Sequence, residues 1–359
     1  MLIEAITNQV FRNAAPQAIR HLAKPNLRTR DPVARSVLDQ AAREFQMAPP
    51  VTIHMVDPEL MAGLWHAARE AYVVGREGRA MREVVAAAVS KLNACPYCVT
   101  VHAGLFAATS QNGAALDETA HLPSEIAAAQ KWAAASLSPN SDALREPALS
   151  ASVIPHVFGT AIVYHYLNRL VSVFLAETPV ALPGMSTDLG RRLMHSSFAF
   201  LGKSIVARDP EPGQCVVQRD APLPAEFLWA ASNPAVSRAL AHFALVAERA
   251  GHDAVPSEVR AVVEHHLGSW RGEQTPISRA WVEGLVAPLS SAKKPAARLA
   301  LVVALAAYQV DDMLIDEFRA VTPGDKPLLQ TVAWASFAAA KRTASWFPKS
   351  HLNANVRPA

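Results

Sequence analysis

Cysteine is scarce in this chain. Three in 359 residues are too few for the disulfide framework of a small secreted protein. An excess of one charge is missing as well: 34 basic side chains stand against 31 acidic ones, a formal net charge of +3. Nucleic-acid binders carry a pronounced basic face, and the small patch at Arg28 and Arg30 does not supply one. No convincing membrane span is present either. The longest uncharged stretch, Pro147 to Asn168, contains Pro155, His156 and His165 and reads as a buried helical region. The opening Met1-Leu2-Ile3-Glu4 has no basic region followed by an apolar core, so no signal peptide is expected. With 51% hydrophobic and 18% charged residues the chain can bury a core. A soluble, cytoplasmic protein without nucleic-acid or membrane partners is the expectation.

Alternating β-branched strands are also lacking. Alanine-rich runs such as Ala86-Ala87-Ala88 and Ala127-Ala128-Ala129 favour helix, and the apolar run from Leu299 to Val310 is too long for a typical strand. The expected class is all-α. The length suggests about two domains. Between Thr178 and Pro224, six prolines (Pro179, Pro183, Pro210, Pro212, Pro222 and Pro224) surround one expected helix near Ser186 to Val206 and mark a boundary. The flanking halves echo each other. Asp57-Pro58 answers to Asn233-Pro234, Arg82-Glu83-Val84 to Ser257-Glu258-Val259, and Arg169 to Phe174 answers to Arg342 to Phe347. The spacing between partners is nearly constant, which suggests a duplicated helical unit forming a pseudo-twofold pair; chance likeness among Ala- and Val-rich helices is the alternative. The expected layout is an arm over 1–49, a unit over 50–177, a Pro-rich linker over 178–225, a second unit over 226–347 and a frayed tail over 348–359. Two halves that pair within one chain can also dimerise further.

The chemistry concentrates between Glu83 and His102. A helix from about Gly78 to Leu92 should stop at Asn93, and Pro96 suits the first turn of a second helix. At 100° per residue, Cys95, Cys98 and His102 share one face of that second helix. Cys95 and Cys98 are spaced for a disulfide, and His102 can reach the Cys98 sulfur. Glu83 can meet His102 only if the chain folds back at Asn93-Ala94 as a helical hairpin. The carboxylate would then orient the imidazole and fix its tautomer. A thiolate attacks a peroxide oxygen. A helix N-terminus and a nearby imidazole can lower a thiol pKa to about 3.5–7.5. A second thiol traps the sulfenic acid as a disulfide before over-oxidation.

The pattern Glu83-x11-Cys95-x2-Cys98-x3-His102, with Asn93 two residues before the first cysteine, resembles the alkylhydroperoxidase D (AhpD) branch of the carboxymuconolactone decarboxylase superfamily. The resemblance implies an all-helical, usually oligomeric fold and reduction of organic hydroperoxides or turnover of a partner's disulfide. It needs no metal or separate cofactor beyond the redox-active Cys95–Cys98 pair. It implies that Cys98 forms the sulfenic acid, that Cys95 donates a proton and resolves it, and that Glu83 and His102 form a proton relay. A small hydroperoxide would be the substrate, with a thiol or lipoyl-type reductant, or a peroxiredoxin, as partner. Tyr97 is a departure, because AhpD has a histidine beside the second cysteine; the double-length chain is another. In the second half Cys95, Cys98 and His102 answer to Trp270, Glu273 and Ile277, so that half is expected to be catalytically silent.

Other readings compete. The two cysteines could be small buried hydrophobes. A structural zinc site would need a fourth ligand that the neighbourhood lacks. The sole other thiol, Cys215, is expected to be unpaired, at the surface or in a loop. His165 and Asn168 share a helix face and are possible pocket residues, with Tyr97; His156 lies on the same segment. The pairs His265-His266 and Asp311-Asp312 are assigned to solvated faces, since adjacent helical residues diverge by about 100°. A general protein-disulfide reductase, a carboxymuconolactone-type decarboxylase and a non-enzymatic helical assembly module with a vestigial redox site are the functional alternatives.

Overall fold

The computed structural model describes residues 15–109, 122–178, 197–200 and 202–349. Helices carry the chain, and among the described residues the only β feature is an isolated antiparallel bridge between Ile19 and Leu175. The protein is all-α. Its helices of ten or more residues are α1 (Pro32–Glu44), α2 (Pro58–Ala68), α3 (Arg79–Leu92), α4 (Pro96–Thr109), α5 (Ser124–Ala134), α6 (Ile154–Phe174), α7 (Pro234–Ala254), α8 (Ser257–Ser269), α9 (Lys294–Ala306), α10 (Asp312–Val321) and α11 (Asp325–Ala344).

Local chemistry sets several of their starts. Asp31, Asp57 and Asn233 each accept a backbone N–H of the first turn and are followed by a proline, which has no N–H to leave unpaired. Asp311 caps α10 the same way through Leu314. At its far end α2 widens into a π turn, Arg69–Val73, closed by a bond from Val74 N to Arg69 O. Such turns insert an extra residue and recur at functional sites. This one carries Arg69, Glu70 and Tyr72.

One continuous apolar core runs through both halves. Helix α2 packs against α7, α6 and α7 against α11, and α3 against α4, α5 and α6. Two glycines permit close approaches of α2 to α7 and of α6 to the π turn. A Cβ at Gly63 on α2 would lie 2.3 Å from the Val246 methyl of α7, and one at Gly159 on α6 would lie 2.7 Å from the Ala71 methyl. The second approach draws α6 onto the π turn, where Thr160 also donates to the Ala71 carbonyl at 3.1 Å. At the α2–α7 contact His66 and His242 meet, Nδ1 to Nδ1, at 3.1 Å in the buried interior.

Three features depart from the expected layout. The stretch over 1–49 is not a detached arm where it is described: α1 buries Ala34, Val37, Leu38 and Ala41 in the common core. The Pro-rich zone is also more than a connector. It lies against the first half, with Arg208 donating to the carbonyls of Ala42 and Phe45, Arg69 to that of Glu211, and the Gln40 side chain bonded to Gln214 and Val216. The apolar run from Leu299 ends as a helix at Ala306 and finishes in a 3₁₀ turn, Ala307–Gln309. Of the helix expected near 186–206, residues 197–200 and 202–206 are helical; the remainder, like residues 1–14 and the tail from 350 on, lies outside the described residues. No helix among the described residues is long and apolar enough to cross a membrane.

Candidate active site

Helices α3 and α4 form the hairpin on which the site depends. Asn93 closes α3, its side chain donating to the Val89 carbonyl at 3.1 Å. Ala94 then takes a left-handed backbone with φ 50°, a conformation that costs an L-residue about 1–2 kcal/mol. Cys95 N bonds back to Ser90 O, and Pro96 opens α4. The bend brings Glu83 and His102, 19 residues apart, to 2.7 Å between Oε2 and Nδ1.

Glu83 is fully buried and accepts three hydrogen bonds. Its Oε1 accepts from Arg79 Nε at 2.6 Å and from the Tyr72 hydroxyl at 2.7 Å, while Oε2 takes the His102 bond. Burial alone would push this carboxyl up; the Arg79 guanidinium, with the His102 and Tyr72 hydrogen bonds, outweighs that and holds it below the usual carboxylate range. An ionised carboxylate can only accept, so the hydrogen of His102 is assigned to Nδ1 and the lone pair to Nε2. Arg79 in turn lies over the Tyr72 ring at 4.3 Å and donates to its hydroxyl at 3.0 Å.

Beside this network lies an apolar cavity of about 130 Å³. Phe45, Met47, Trp65, Val101, Leu105 and Leu167 form much of its wall, and Tyr72, Tyr97, Cys98, His102 and Tyr164 bring the polar atoms. Cys98 lines this space. Cys95, 1% exposed, sits behind it at the N-cap of α4. The three cysteines are free thiols. The depressed thiol pKa expected for Cys98 is not found. Burial pushes it well above the ordinary range and the adjoining Cys95 thiol adds to that; the Ser90 hydroxyl pulls the other way and loses. His102 does not compensate, because Glu83 and Tyr72 occupy its Nδ1 and among the described residues no hydrogen bond runs from the ring to either sulfur. Cys98 therefore rests as a thiol, not as a standing thiolate.

No family model matches the chain, and no solved structure matches it. A curated protein does: over 317 residues the chain is 32% identical to a Mycobacterium tuberculosis protein named an alkyl hydroperoxide reductase, a match covering 86% of this chain and 89% of that relative. The chain belongs to the AhpD-like family.

Within this candidate site the sequence-expected residues divide into two groups. Cys98, His102, Glu83 and Tyr97 meet at or beside the cavity, with Cys95 directly behind. His165 and Asn168 do not line it. Their neighbours Tyr164 and Leu167 do, since one step along α6 turns a side chain by about 100°. His165 instead bridges Asn93 at 3.1 Å and Ser136 at 2.9 Å, and Asn168 accepts from Ser90 at 3.1 Å, so both brace the hairpin bend from behind. Cys215 is unpaired and in a loop, as expected, but buried and not at the surface: burial raises its thiol to about 12, and its sulfur faces the Val217 carbonyl at 3.5 Å.

The remaining candidates have structural partners. His156 meets Asn233 at 3.2 Å. Asp311 caps α10 and pairs with Arg279, while His266 stacks on Trp281. Among the described residues no group of three or more His, Cys, Asp or Glu side chains could hold a metal ion. In the second half Trp270 packs on Trp346, Ile277 is exposed, and Glu258 sits at the surface against Lys293.

Sequence reasoning missed Tyr72, Arg79 and the role of Tyr164 in the AhpD-like site. Arg79 was accessible, since it precedes Glu83 by one helical turn on the same face. Tyr72 and Tyr164 come from the π turn and from α6, which no periodicity connects to Glu83.

Proposed function

We propose that this AhpD-like protein reduces organic hydroperoxides through a Cys98–Cys95 dithiol–disulfide cycle served by a Glu83–His102 proton relay. The observation that carries this reading is the junction of two features: a cysteine open to an apolar cavity, and one helical turn away an imidazole whose tautomer a buried carboxylate fixes at 2.7 Å. The buried Cys98 thiol gives its proton to His102 Nε2, and the Glu83 carboxylate balances the positive ring. The thiolate attacks one peroxide oxygen and the O–O bond breaks. The departing alkoxide takes the proton from His102 and leaves as an alcohol, with Cys98 as sulfenic acid. The Cys95 sulfur then displaces hydroxide from Cys98. Its own proton completes a water molecule and the disulfide forms. A dithiol reductant, such as a lipoyl-type group, returns two electrons and two protons.

The arrangement supports Cys98 as the attacked residue by access: it borders the cavity, whereas Cys95 lies behind it. The helix dipole, which favours a thiolate nearer the N-terminus, argues for Cys95 but acts on a sulfur that does not line the cavity. The same reading takes residues 226–347 as a degenerate copy of 50–177 that serves as an internal packing partner. The His66–His242 contact supports it, because the two are separated by the same interval as the N-caps Asp57 and Asn233.

The test is peroxide consumption with dithiothreitol or dihydrolipoamide as reductant. Wild type should turn over; Cys98→Ser should lose activity; Cys95→Ser should react once and then stop. Equal turnover by all three proteins would end the proposal.

A further inference from the structure

Two phenols of the cavity wall have no task in the cycle above. Tyr72 and Tyr164 are buried, 2% and 5% exposed, and both border the space that Cys98 and His102 face. Their rings meet edge to face at 5.3 Å, and Tyr164 also stands edge-on to the His102 ring at 4.5 Å. Tyr72 spends its single hydrogen on the Glu83 carboxylate, which can only accept, so between the two phenols only Tyr164 has a hydrogen to give.

Tyr72 does not depend on a donation from Tyr164, since Arg79 Nη2 already supplies its oxygen at 3.0 Å. The Tyr164 hydrogen can therefore turn about its C–O bond toward the cavity with little loss to the network. Burial holds both phenols well above their ordinary pKa, so they remain hydrogen-bond donors and do not ionise. The cavity meanwhile poses a problem that the Glu83–His102 pair does not solve alone. The departing oxygen gains negative charge while still in apolar surroundings, where an unpaired charge is costly, before the proton on His102 reaches it.

We infer that Tyr164, at the cavity wall and edge-on to His102, is the hydrogen-bond donor to the departing oxygen of the hydroperoxide. The inference rests on the peroxidase reading. No proton is transferred from the phenol; it lends a hydrogen bond to the alkoxide until His102 delivers the proton that Cys98 gave up. Removing one such preorganised donor costs on the order of 10²-fold in rate.

The leaving group supplies the test. tert-Butyl hydroperoxide departs as a strongly basic alkoxide that needs the donor, whereas peroxyacetic acid departs as acetate, which barely does. Single-turnover oxidation of the full-length reduced protein is measured with both oxidants for wild type, Tyr164→Phe and Tyr97→Phe, with thermal melts alongside. Tyr164→Phe should lose on the order of 10²-fold with tert-butyl hydroperoxide and stay within about threefold of wild type with peroxyacetic acid. Equal losses with both oxidants, or none with either, would overturn the inference. So would the selective loss arising in Tyr97→Phe instead, since Tyr97 also borders the cavity. If Tyr164→Phe fails to fold, Tyr164→His and Tyr164→Met repeat the comparison of donor against none. Wild type inert toward both oxidants would sink the peroxidase reading itself, which an active wild type with an unselective Tyr164→Phe does not.

Discussion

Glu83→Gln tests the network at its centre. Among the described residues the carboxylate is the only acid paired with Arg79, and it receives three hydrogen bonds, from Arg79, Tyr72 and His102, all at 2.6–2.7 Å. Glutamine keeps the shape but presents one oxygen and one NH₂ group. If the oxygen faces His102, the NH₂ points at Arg79 Nε and a buried guanidinium is left without a counter-charge. If it faces Arg79, the His102 Nδ1–H meets a donor. Either way one buried charged or polar group is orphaned, and breaking a buried pair by removing one partner costs about 3–5 kcal/mol. Removing the cation as well relieves most of that penalty. The double variant Arg79→Met/Glu83→Gln should therefore be more stable than the sum of the two single losses predicts, by about 2 kcal/mol or more. Urea unfolding at pH 7 of wild type, both single variants and the double measures this coupling. In parallel, loss of the group that orients the base should lower peroxidase kcat/KM by about 10²–10⁴-fold in Glu83→Gln and in the double alike, so stability returns while activity does not. Strictly additive stabilities, or a single Glu83→Gln cost below about 1 kcal/mol, would refute the argument that this carboxylate compensates a buried cation.

Four shorter predictions follow from other parts of the molecule. Trapping with dimedone after one equivalent of peroxide should label Cys98 in Cys95→Ser and nothing in Cys98→Ser; the reverse pattern would exchange their roles. Because burial raises the Cys98 thiol well above its ordinary value, its alkylation by iodoacetamide should climb about tenfold per pH unit from pH 7 to 9, and a plateau near neutrality would show a standing thiolate. Gly159→Ala drives a methyl to 2.7 Å from that of Ala71, so it should cost about 1–3 kcal/mol and slow peroxide turnover by shifting α6 against the π turn; an unchanged melting temperature would contradict the tight α6–π-turn contact. Burial lowers His66 to about 3 and His242 to about 4, so the folded state resists protons that the unfolded chain binds. Stability should be full above about pH 6.5 and fall as the pH drops toward 4. His242→Gln should flatten that slope in urea titrations, and a slope identical to wild type would place the acid sensitivity elsewhere. Glu83 adds its own loss only lower, as the pH falls below the ordinary carboxylate range, since its carboxyl is held down in the fold.

Much of this was readable along the chain because the information is local. Helical class follows from composition and from apolar runs that repeat at the helix period. The hairpin follows from Asn93 and Pro96, a cap residue and a first-turn proline separated by two residues. Once the fold-back is granted, the angular arithmetic of one helix sets Cys95, Cys98 and His102 on one face, and the matched heights of two helices bring Glu83 to the ring. What the sequence could not set were quantities that depend on what surrounds those residues. The Cys98 thiol is raised, not lowered, because burial is a property of the whole core and outweighs a helix terminus. His165 and Asn168 face the bend while Tyr164 and Leu167 face the cavity, since the rotation of α6 is decided by the Gly159–Ala71 contact and not by the amphipathic pattern of a helix buried on nearly every side. Tyr72 reaches Glu83 from a π turn, an irregularity without a spacing signature, and the Pro-rich segment closes over Gln40 and Arg69 through contacts more than a hundred residues long. Periodicity reports what neighbours share along one element; solvation, facing direction and long-range partners exist only after the elements have packed.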